Sequence, residues 1–377
     1  AFIAGLSASV IRAVTMFTAV AVSLLAKNTI NTYKTLIISV FILLLFNPYY
    51  LFEVGFQLSY LAVFFIVWIQ PLIYKLWQPK SKIINYPWQL FTVSIAAQLG
   101  VLPLSLYYFH QFPGLFFIAN IIIIPFLGII LGLGILVIFL SLINLLSPFI
   151  ANIYEQIIII LNSVVAVIAK QESFLFQNIS FSLFSVLSVY LFIILFFKWI
   201  ETKNQIIFKY VLIAILVFQS NLILEKYYSS TTNEIVIFNT SRKTALINRK
   251  GENIDIDYSN DYPKIKNSIK NYLIGTNSQV KSIQNSIKNV YSLSTKKLLV
   301  IDSLSVYKNL SIEPEIILLR DSPNLNLERL IKEMNPKIII ADASNYKSSV
   351  LLWQKTCKKH NIRFHYTVKD GAFVRKY

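Results

Sequence analysis

Apolar residues run along the first three-fifths of the chain in blocks of about 17 to 25, the length a helix needs to cross the hydrocarbon core of a bilayer. The blocks fall at 3–26, 35–50, 53–74, 88–109, 114–146, 148–169, 182–200 and 205–224. Two are irregular. The block at 35–50 is short and ends at Asn47-Pro48, and the block at 114–146 is too long for one span and is interrupted at Pro125. A proline bends or stops a helix, so broken or re-entrant helices are expected there, shielded from lipid by protein or a watery cavity. From Glu234 onward the pattern changes to short β-branched runs at 235–238, 244–248, 298–301, 316–319, 337–340 and 363–367, with helical stretches at 325–334 and 348–359 between them. Alternating strands and helices predict an α/β domain. The expected architecture is a polytopic α-helical membrane bundle over residues 1–225 followed by a small soluble α/β domain over 226–377.

Composition sharpens this division. A mean hydropathy of +0.60 with 14% charged residues is too apolar for one soluble globule. Residues 1–225 hold ten Lys or Arg against five Asp or Glu, whereas residues 226–377 hold 25 against 13. The excess of positive charge suits an anionic partner such as nucleic acid or phospholipid headgroups. It also has a compositional reading, because Lys, Asn and Ile are the residues an AT-rich genome favours. The single cysteine, Cys357, excludes an internal disulfide and lacks the paired spacing of a zinc or redox site. No cofactor is implied. The opening Ala1-Phe2-Ile3-Ala4-Gly5 lacks an initiator Met and a basic n-region, and reads as the start of a fragment rather than a signal peptide.

Short cytoplasmic loops collect Lys and Arg. If each block crosses once and the first runs inward, Lys27, Lys34, Lys75, Lys80, Lys82, Lys198, Lys203 and Lys209 all face the cytoplasm, and the turn at His110 and Lys170 face outward. That count places the α/β domain in the periplasm of a bacterial inner membrane, and a miscount of one span inverts it.

Several residues are too polar for lipid. Arg12 sits in the middle of an apolar helix, where an arginine costs about 2.5–3.5 kcal/mol to insert, and Ala8, Thr15, Ala19 and Ser23 share its face. This stripe either lines a cavity or packs on another helix. After the Asn47-Pro48 break, Glu53, Gln57 and Tyr60 align a carboxylate, an amide and a phenol on one helical face. Glu53 either pairs with Arg12 or sits at the interface beside Tyr49 and Tyr50. Ser94, Gln98 and Ser105 share another face next to Pro103, giving a polar lining or interhelical hydrogen bonds that hold the bundle together. Asn120 precedes Pro125, and Gly128 and Gly132 form a GxxxG that predicts close helix contact. The histidines, His110, His360 and His365, are scattered, and neither a nucleophile elbow nor a phosphate-cradling glycine loop is present.

The stretch from Asn47-Pro48 through Glu53-Val54-Gly55-Phe56-Gln57-Leu58-Ser59-Tyr60-Leu61-Ala62 resembles the ComEC competence proteins. Gly5-Leu6-Ser7-Ala8-Ser9-Val10-Ile11-Arg12-Ala13, Ala97-Gln98 through Phe112-Pro113, and Asn120 to Gly134 are similar to further segments of that family. Together they cover roughly residues 1–225. The resemblance implies a channel that passes a single strand of DNA across the membrane during natural transformation. It makes Arg12, Glu53, Gln57, Tyr60, Gln98, Asn120 and Pro125 candidates for the conducting path or its supports. The implied partners are single-stranded DNA, membrane lipids, a cytoplasmic motor or single-strand-binding proteins of the uptake machinery, and further copies of the chain. The family's N-terminal OB-like domain is absent here. The tail resembles the family's metallo-β-lactamase-like domain in degenerate form: Phe238-Asn239-Thr240-Ser241 stands where a D-x-G-Q-G turn is usual, Asp321-Ser322-Pro323-Asn324 where paired histidine is frequent, and the HxHxDH cluster is missing. A two-metal nuclease needs several converging His and Asp ligands, so the tail is expected not to be a nuclease. The competing expectations are a carrier of small molecules or lipid-linked precursors and a non-conducting scaffold of the uptake machinery.

Overall fold

A computed structural model of the chain describes residues 8–25, 32–259, 262–307, 310 and 312–377. The chain divides into two compact units, Ala1–Ser220 and Asn221–Tyr377, five residues short of the boundary read from charge.

The first unit is helical. Its helices are α1 (Ala8–Leu25), α2 (Thr32–Phe46), α3 (Val54–Tyr74), α4 (Lys82–Phe109), α5 (Phe116–Leu142), α6 (Pro148–Ala169), α7 (Leu183–Thr202) and the start of α8 (Gln205–Thr231). Six of them, α3 to α8, are long and apolar enough to cross a membrane, which makes this a multi-pass membrane protein. The break at Asn47-Pro48 is present. The Asn47 side chain accepts a hydrogen bond from the Tyr49 backbone N–H at 3.0 Å and caps a 3-10 turn, Pro48–Phe52, that separates α2 from α3. The break expected at Pro125 is not. Proline removes one backbone donor, yet α5 runs through it as a single helix of 27 residues. A length of about 40 Å at 1.5 Å per residue crosses the hydrocarbon core with tilt.

α3 and α4 form the most extensive helix pair. Gly100 permits it: a Cβ there would lie 2.8 Å from the Leu61 carbonyl and 2.9 Å from Phe65. Around this contact Phe65, Ile69, Ala96, Ile193 and Phe197 make a core shared by α3, α4 and α7. A second core, Leu43, Phe56 and Tyr60, joins α2 and α3. α5 and α6 contain no buried residue. Contrary to the GxxxG expectation, a Cβ at Gly128 or Gly132 would meet nothing within 4 Å, whereas Gly134 faces Tyr154 of α6. Two short strands, β1 (Gln111–Pro113) and β2 (Leu175–Gln177), pair antiparallel and bring the α4–α5 and α6–α7 connections to the same side of the unit.

The second unit holds two five-stranded sheets. The first has the order β12-β3-β4-β5-β6, with β3 (Asn233–Ile237), β4 (Ala245–Lys250), β5 (Asn253–Tyr258), β6 (Gln279–Gln284) and β12 (Phe373–Lys376). The other is β11-β10-β9-β8-β7, with β7 (Val290–Leu293), β8 (Lys296–Ile301), β9 (Ile316–Leu319), β10 (Ile338–Ala341) and β11 (Arg363–Tyr366). The sheets meet face to face over Ile235, Ile237, Leu246, Leu298, Val300, Ile316, Leu318, Ile338 and Ile340. Helix α9 (Tyr262–Thr276) covers the outer face of the first through Ile265 and Ile269. Helices α10 (Leu327–Met334) and α11 (Lys347–Lys359) cover the other through Leu330, Ile331, Trp353 and Cys357. The result is an α/β/β/α sandwich, in line with the expected α/β domain.

One clamp ties the end of α8 into this sandwich. Arg249 of β4 is buried and bonds Glu234 of β3 at 3.2 Å, the Gly251 carbonyl at 2.8 Å and the Ser229 carbonyl of α8 at 2.9 Å. Tyr272 of α9 donates to the same Glu234 carboxylate at 2.6 Å. A charge pair taken out of water needs such additional hydrogen bonds to offset its desolvation.

Candidate functional site

In the helical unit the candidates converge where α1, α2 and the start of α3 meet. Arg12 is buried, with 6% of its surface exposed. Its guanidinium lies over the first turn of α3, about 3.5 Å from where a Cβ on Gly55 would stand. Ile11, Arg12, Leu43, Tyr50, Glu53 and Phe56 line a crevice too narrow for a water molecule. Glu53 is exposed at the N-cap of α3, where a carboxylate complements the helix dipole, and it borders the same crevice as Arg12. Tyr60 is buried about two turns on and donates to Ser39 of α2 at 3.2 Å. Gln57 acts as a strut: its amide donates to the Leu51 carbonyl at 2.9 Å and its oxygen accepts from Tyr108 of α4 at 2.9 Å. Arg12 and Glu53 thus border one narrow crevice, while Gln57 and Tyr60 bond outward to Leu51, Tyr108 and Ser39 and tie α3 to its neighbours.

The other candidates lie elsewhere. Gln98 and Ser105 are half-buried on α4, and Ser94, 3% exposed, has no hydrogen-bond partner among the described residues. Further along the α3–α4 pair, Gln70 donates to Thr92 at 3.3 Å and Tyr74 to Asn85 at 2.7 Å, so polar residues here hold helices together. Asn120 and Pro125 are half-buried on α5. Thr15 bonds back to the Ile11 carbonyl at 2.8 Å; the side chains of Ala8, Ala19 and Ser23, the motif residues Gly5 to Ser7 and Lys27 lie outside the described residues.

α6 carries a polar stripe that no single conspicuous residue in the sequence marks. Asn152, Glu155, Gln156 and Ser163 recur at helical spacing and all are exposed. Tyr154, on the opposite side, faces α5 at Gly134. A carboxylate and two amides on a helix that crosses lipid need water or protein opposite them, and within this chain Asn152, Glu155 and Gln156 are left exposed.

In the α/β unit the loops after β8, β9 and β10 gather Asp302, Arg320, Asp321, Asp342, Ser344 and Asn345 at one edge of the sandwich. Asp342 is fully buried and accepts hydrogen bonds from Thr244, from the Ser344 hydroxyl and backbone N–H, and from Asn345 at 3.1 Å. Burial pushes its pKa up to about 6 despite these donors. Asp321 pairs with Arg320, and Asp257 accepts from Tyr291 at 2.6 Å, which together with burial raises the tyrosine pKa. This donor set does not fit a two-metal centre, because its carboxylates are already engaged by protein donors and no histidine joins them. His360 stands 3.6 Å from Glu328, His365 bonds the Gly371 carbonyl at 3.0 Å, and no group of three or more potential ligands occurs among the described residues.

Asp342 gives a pH test. Between the ordinary carboxylate value of 3.8 and about 6 the folded form keeps a proton that the unfolded chain has released. Stability of the unit therefore falls as pH rises through that window, by roughly 3 kcal/mol. Subtracting the denaturant midpoints of Asp342→Asn from those of the parent chain across pH 4 to 7 is expected to show this slope, and a flat difference would contradict it.

The sequence model described as "Competence protein" matches residues 1–203, more than half of the chain, and the one described as "ComEC C-terminal domain" matches residues 235–377. The chain belongs to the ComEC competence family. ComE operon protein 3 of Bacillus subtilis (strain 168) is 40% identical over 122 residues, which is 32% of this chain and 15% of that protein's length. No solved structure matches. The ComEC family assignment covers both the Arg12–Tyr60 cluster and the polar stripe of α6 with its first match, and the Asp342 edge with its second.

Proposed function

We propose that the chain is the membrane-embedded part of a channel that carries one strand of DNA inward during natural transformation, in the inner membrane of a bacterium. The observation that carries this reading is the run of two competence-family matches over the helical unit and then the α/β unit, in one chain. The α6 stripe supports it. Leaving an acid such as Glu155 against acyl chains costs about 2.5–3.5 kcal/mol, so the side of α6 that bears Asn152, Glu155 and Gln156 is where water and a polar polymer belong. Arg12, Glu53, Gln57 and Tyr60 then serve as supports that fix α1, α2 and α3. The α/β unit, with its excess of Lys and Arg, faces the periplasm, attracts the polyanion by counterion release and does not cut it. No ATP-binding loop is present in the sequence, so the motive force comes from another protein, and several copies of the chain complete the passage.

Deleting the gene is expected to abolish transformation while DNA still binds the cell surface; normal transformation would end the reading. Glu155→Ala is the more incisive variant, because Glu155 is exposed and replacing it disturbs no packing within the chain. Internalised labelled DNA should fall sharply with unchanged protein abundance, whereas Arg12→Ala should lower both. In liposomes, strand passage without solute flux supports the channel, and solute flux without strand passage assigns a carrier instead.

A further inference from the structure

The two ends of the strands in the α/β unit carry different sets of charges. Strands β8, β9, β10 and β11 run parallel, so their first residues share one edge and their last residues the other. Asp302, Asp321 and Asp342 follow β8, β9 and β10, Asp257 stands near the end of β5 on the same side, and Arg242, Lys243 and Arg320 accompany them, so this edge is mixed in sign. The starting edge is cationic. Lys296 and Lys297 open β8, Lys337 immediately precedes β10, and Arg375 and Lys376 end the antiparallel β12. Lys250, at the end of β4, completes the set, since it pairs in register with Asn233 at the start of β3.

Two contacts show that the edges of both sheets form one rim. Glu315 collects Lys296 at 3.0 Å, Arg375 at 3.6 Å and Lys337 at 4.0 Å, reaching from one sheet to the other. A groove of about 480 Å³ is lined by Asn233, Lys250 and Tyr377 of the first sheet and by Ser292 and Ser294 beside β7. Six cations face Glu252, Glu313 and Glu315 on this rim, and the Lys337 side chain is 76% exposed.

The same rim receives α8. The last part of that helix belongs to this unit. Leu222, Ile223 and Leu224 are exposed and apolar, then Tyr227 and Tyr228 stand 62% and 65% exposed. Apolar residues followed by a tyrosine belt mark the level where a helix leaves the hydrocarbon for the headgroups. Ser229 then bonds Arg249, and β3 starts at Asn233. Three helical and two extended residues reach about 11 Å from Tyr228, close to the Debye length of about 8 Å at physiological salt. Cations fixed at that height feel the surface potential of anionic lipid, while the mixed charges of the opposite edge lie farther from it.

We propose that this cationic rim docks on the phosphate headgroups of an anionic bilayer, with Lys250, Lys297, Lys337 and Lys376 as contacts and the polar groove beside Lys250 as a headgroup seat. The proposal does not rest on the DNA reading above, and either can fail alone.

The lone cysteine makes the test clean. Cys357 is buried, and burial pushes its thiol up to about 12, so an introduced cysteine is the reactive one in folded protein. The full chain carrying Lys337→Cys on the rim, or Ser303→Cys at the opposite edge, is placed in nanodiscs of phosphatidylcholine with or without phosphatidylglycerol and labelled with a charged maleimide. Docking predicts that phosphatidylglycerol slows labelling at the rim about tenfold, that added salt restores it, and that Ser303→Cys is unaffected. Adding Lys250→Glu, Lys297→Glu and Lys376→Glu should erase the lipid effect; salt reversal on the unreversed rim gives the same answer should that variant fold poorly. Equal rates in both lipids overturn the proposal. So does protection of the rim by a single-stranded oligonucleotide in phosphatidylcholine discs together with indifference to phosphatidylglycerol, which would make the rim a nucleic-acid surface.

Discussion

Arg249→Ala is expected to destabilise the α/β unit by about 3–5 kcal/mol, the range for removing one partner of a buried, hydrogen-bonded ion pair. The substitution strands Glu234, whose side chain is 8% exposed, with Tyr272 as its remaining donor. It also releases the Gly251, Ser229 and Thr276 carbonyls that the guanidinium satisfies. The loss is larger than any single contact suggests, since these bonds join β3, β4, the end of α8 and the end of α9. Cys357 reports it directly: it is fully buried in the core beneath α11, so its thiol reacts only when the unit opens. Its labelling rate in the full chain should rise by about a hundredfold or more, at 1.4 kcal/mol per factor of ten. The paired replacement Arg249→Met with Glu234→Leu should recover much of the loss, because an apolar pair of similar volume avoids the desolvation problem. An unchanged rate in Arg249→Ala would show that the clamp carries no stability.

The second large effect is expected at Gly100. A methyl group there meets the Leu61 carbonyl at 2.8 Å and the Phe65 Cβ and Cγ at 2.9 Å, and a backbone oxygen on a packed helix cannot swing aside. α3 and α4 must separate, at a cost of about 1–3 kcal/mol for one inserted carbon. The Gly100 carbonyl also accepts from Tyr190 of α7 at 2.7 Å, so α7 is displaced as well. Gly100→Ala should lower the detergent-solubilised thermal midpoint clearly, and Gly100→Leu should prevent accumulation of folded protein. Two controls bracket it. Gly55→Ala meets the flexible end of Arg12 at 3.5 Å and should be mild, and Gly128→Ala meets nothing within 4 Å and should be silent. Equal midpoints for all three would mean that the close approach of α3 and α4 does not stabilise the bundle.

What was legible in the sequence follows from which interactions are local. The membrane helices were readable because each is one apolar run, and Asn47-Pro48 because its cap is made by a residue two positions away. Pro125 misled, since a long helix tolerates one missing bond. Strands β9 and β10, IILL and IIIA, are buried on both faces and announce themselves. β5 reads NIDIDY and β6 QVKSIQ; polar residues interrupt both, and neither was found. Helix α9 was missed although Ile265 and Ile269 stand one turn apart. In the candidate site, the alignment of Glu53, Gln57 and Tyr60 was visible by spacing, but the Gln57 partner Tyr108 lies 51 positions away and the Asp342 partner Thr244 lies 98 away. No local pattern encodes such pairs. The stripe of Asn152, Glu155 and Gln156 is legible by its helical spacing, but it lies in an otherwise regular apolar helix with no proline break or isolated cation to mark it.

The small β1–β2 pairing has a consequence for how the membrane unit can vary. Gln111 stands opposite Gln177 and Pro113 opposite Leu175, and Gly114 donates to the Phe174 carbonyl at 2.8 Å, so the chain leaves for α5 and returns from α6 through the same stitched point. The two helices form a closed excursion from that one point, steadied where α5 packs on α4 through Phe117 against Phe91. Such an excursion can be exchanged as one piece across that point, provided the side of α5 that packs on α4 is matched, which makes it the natural cassette for grafting between relatives.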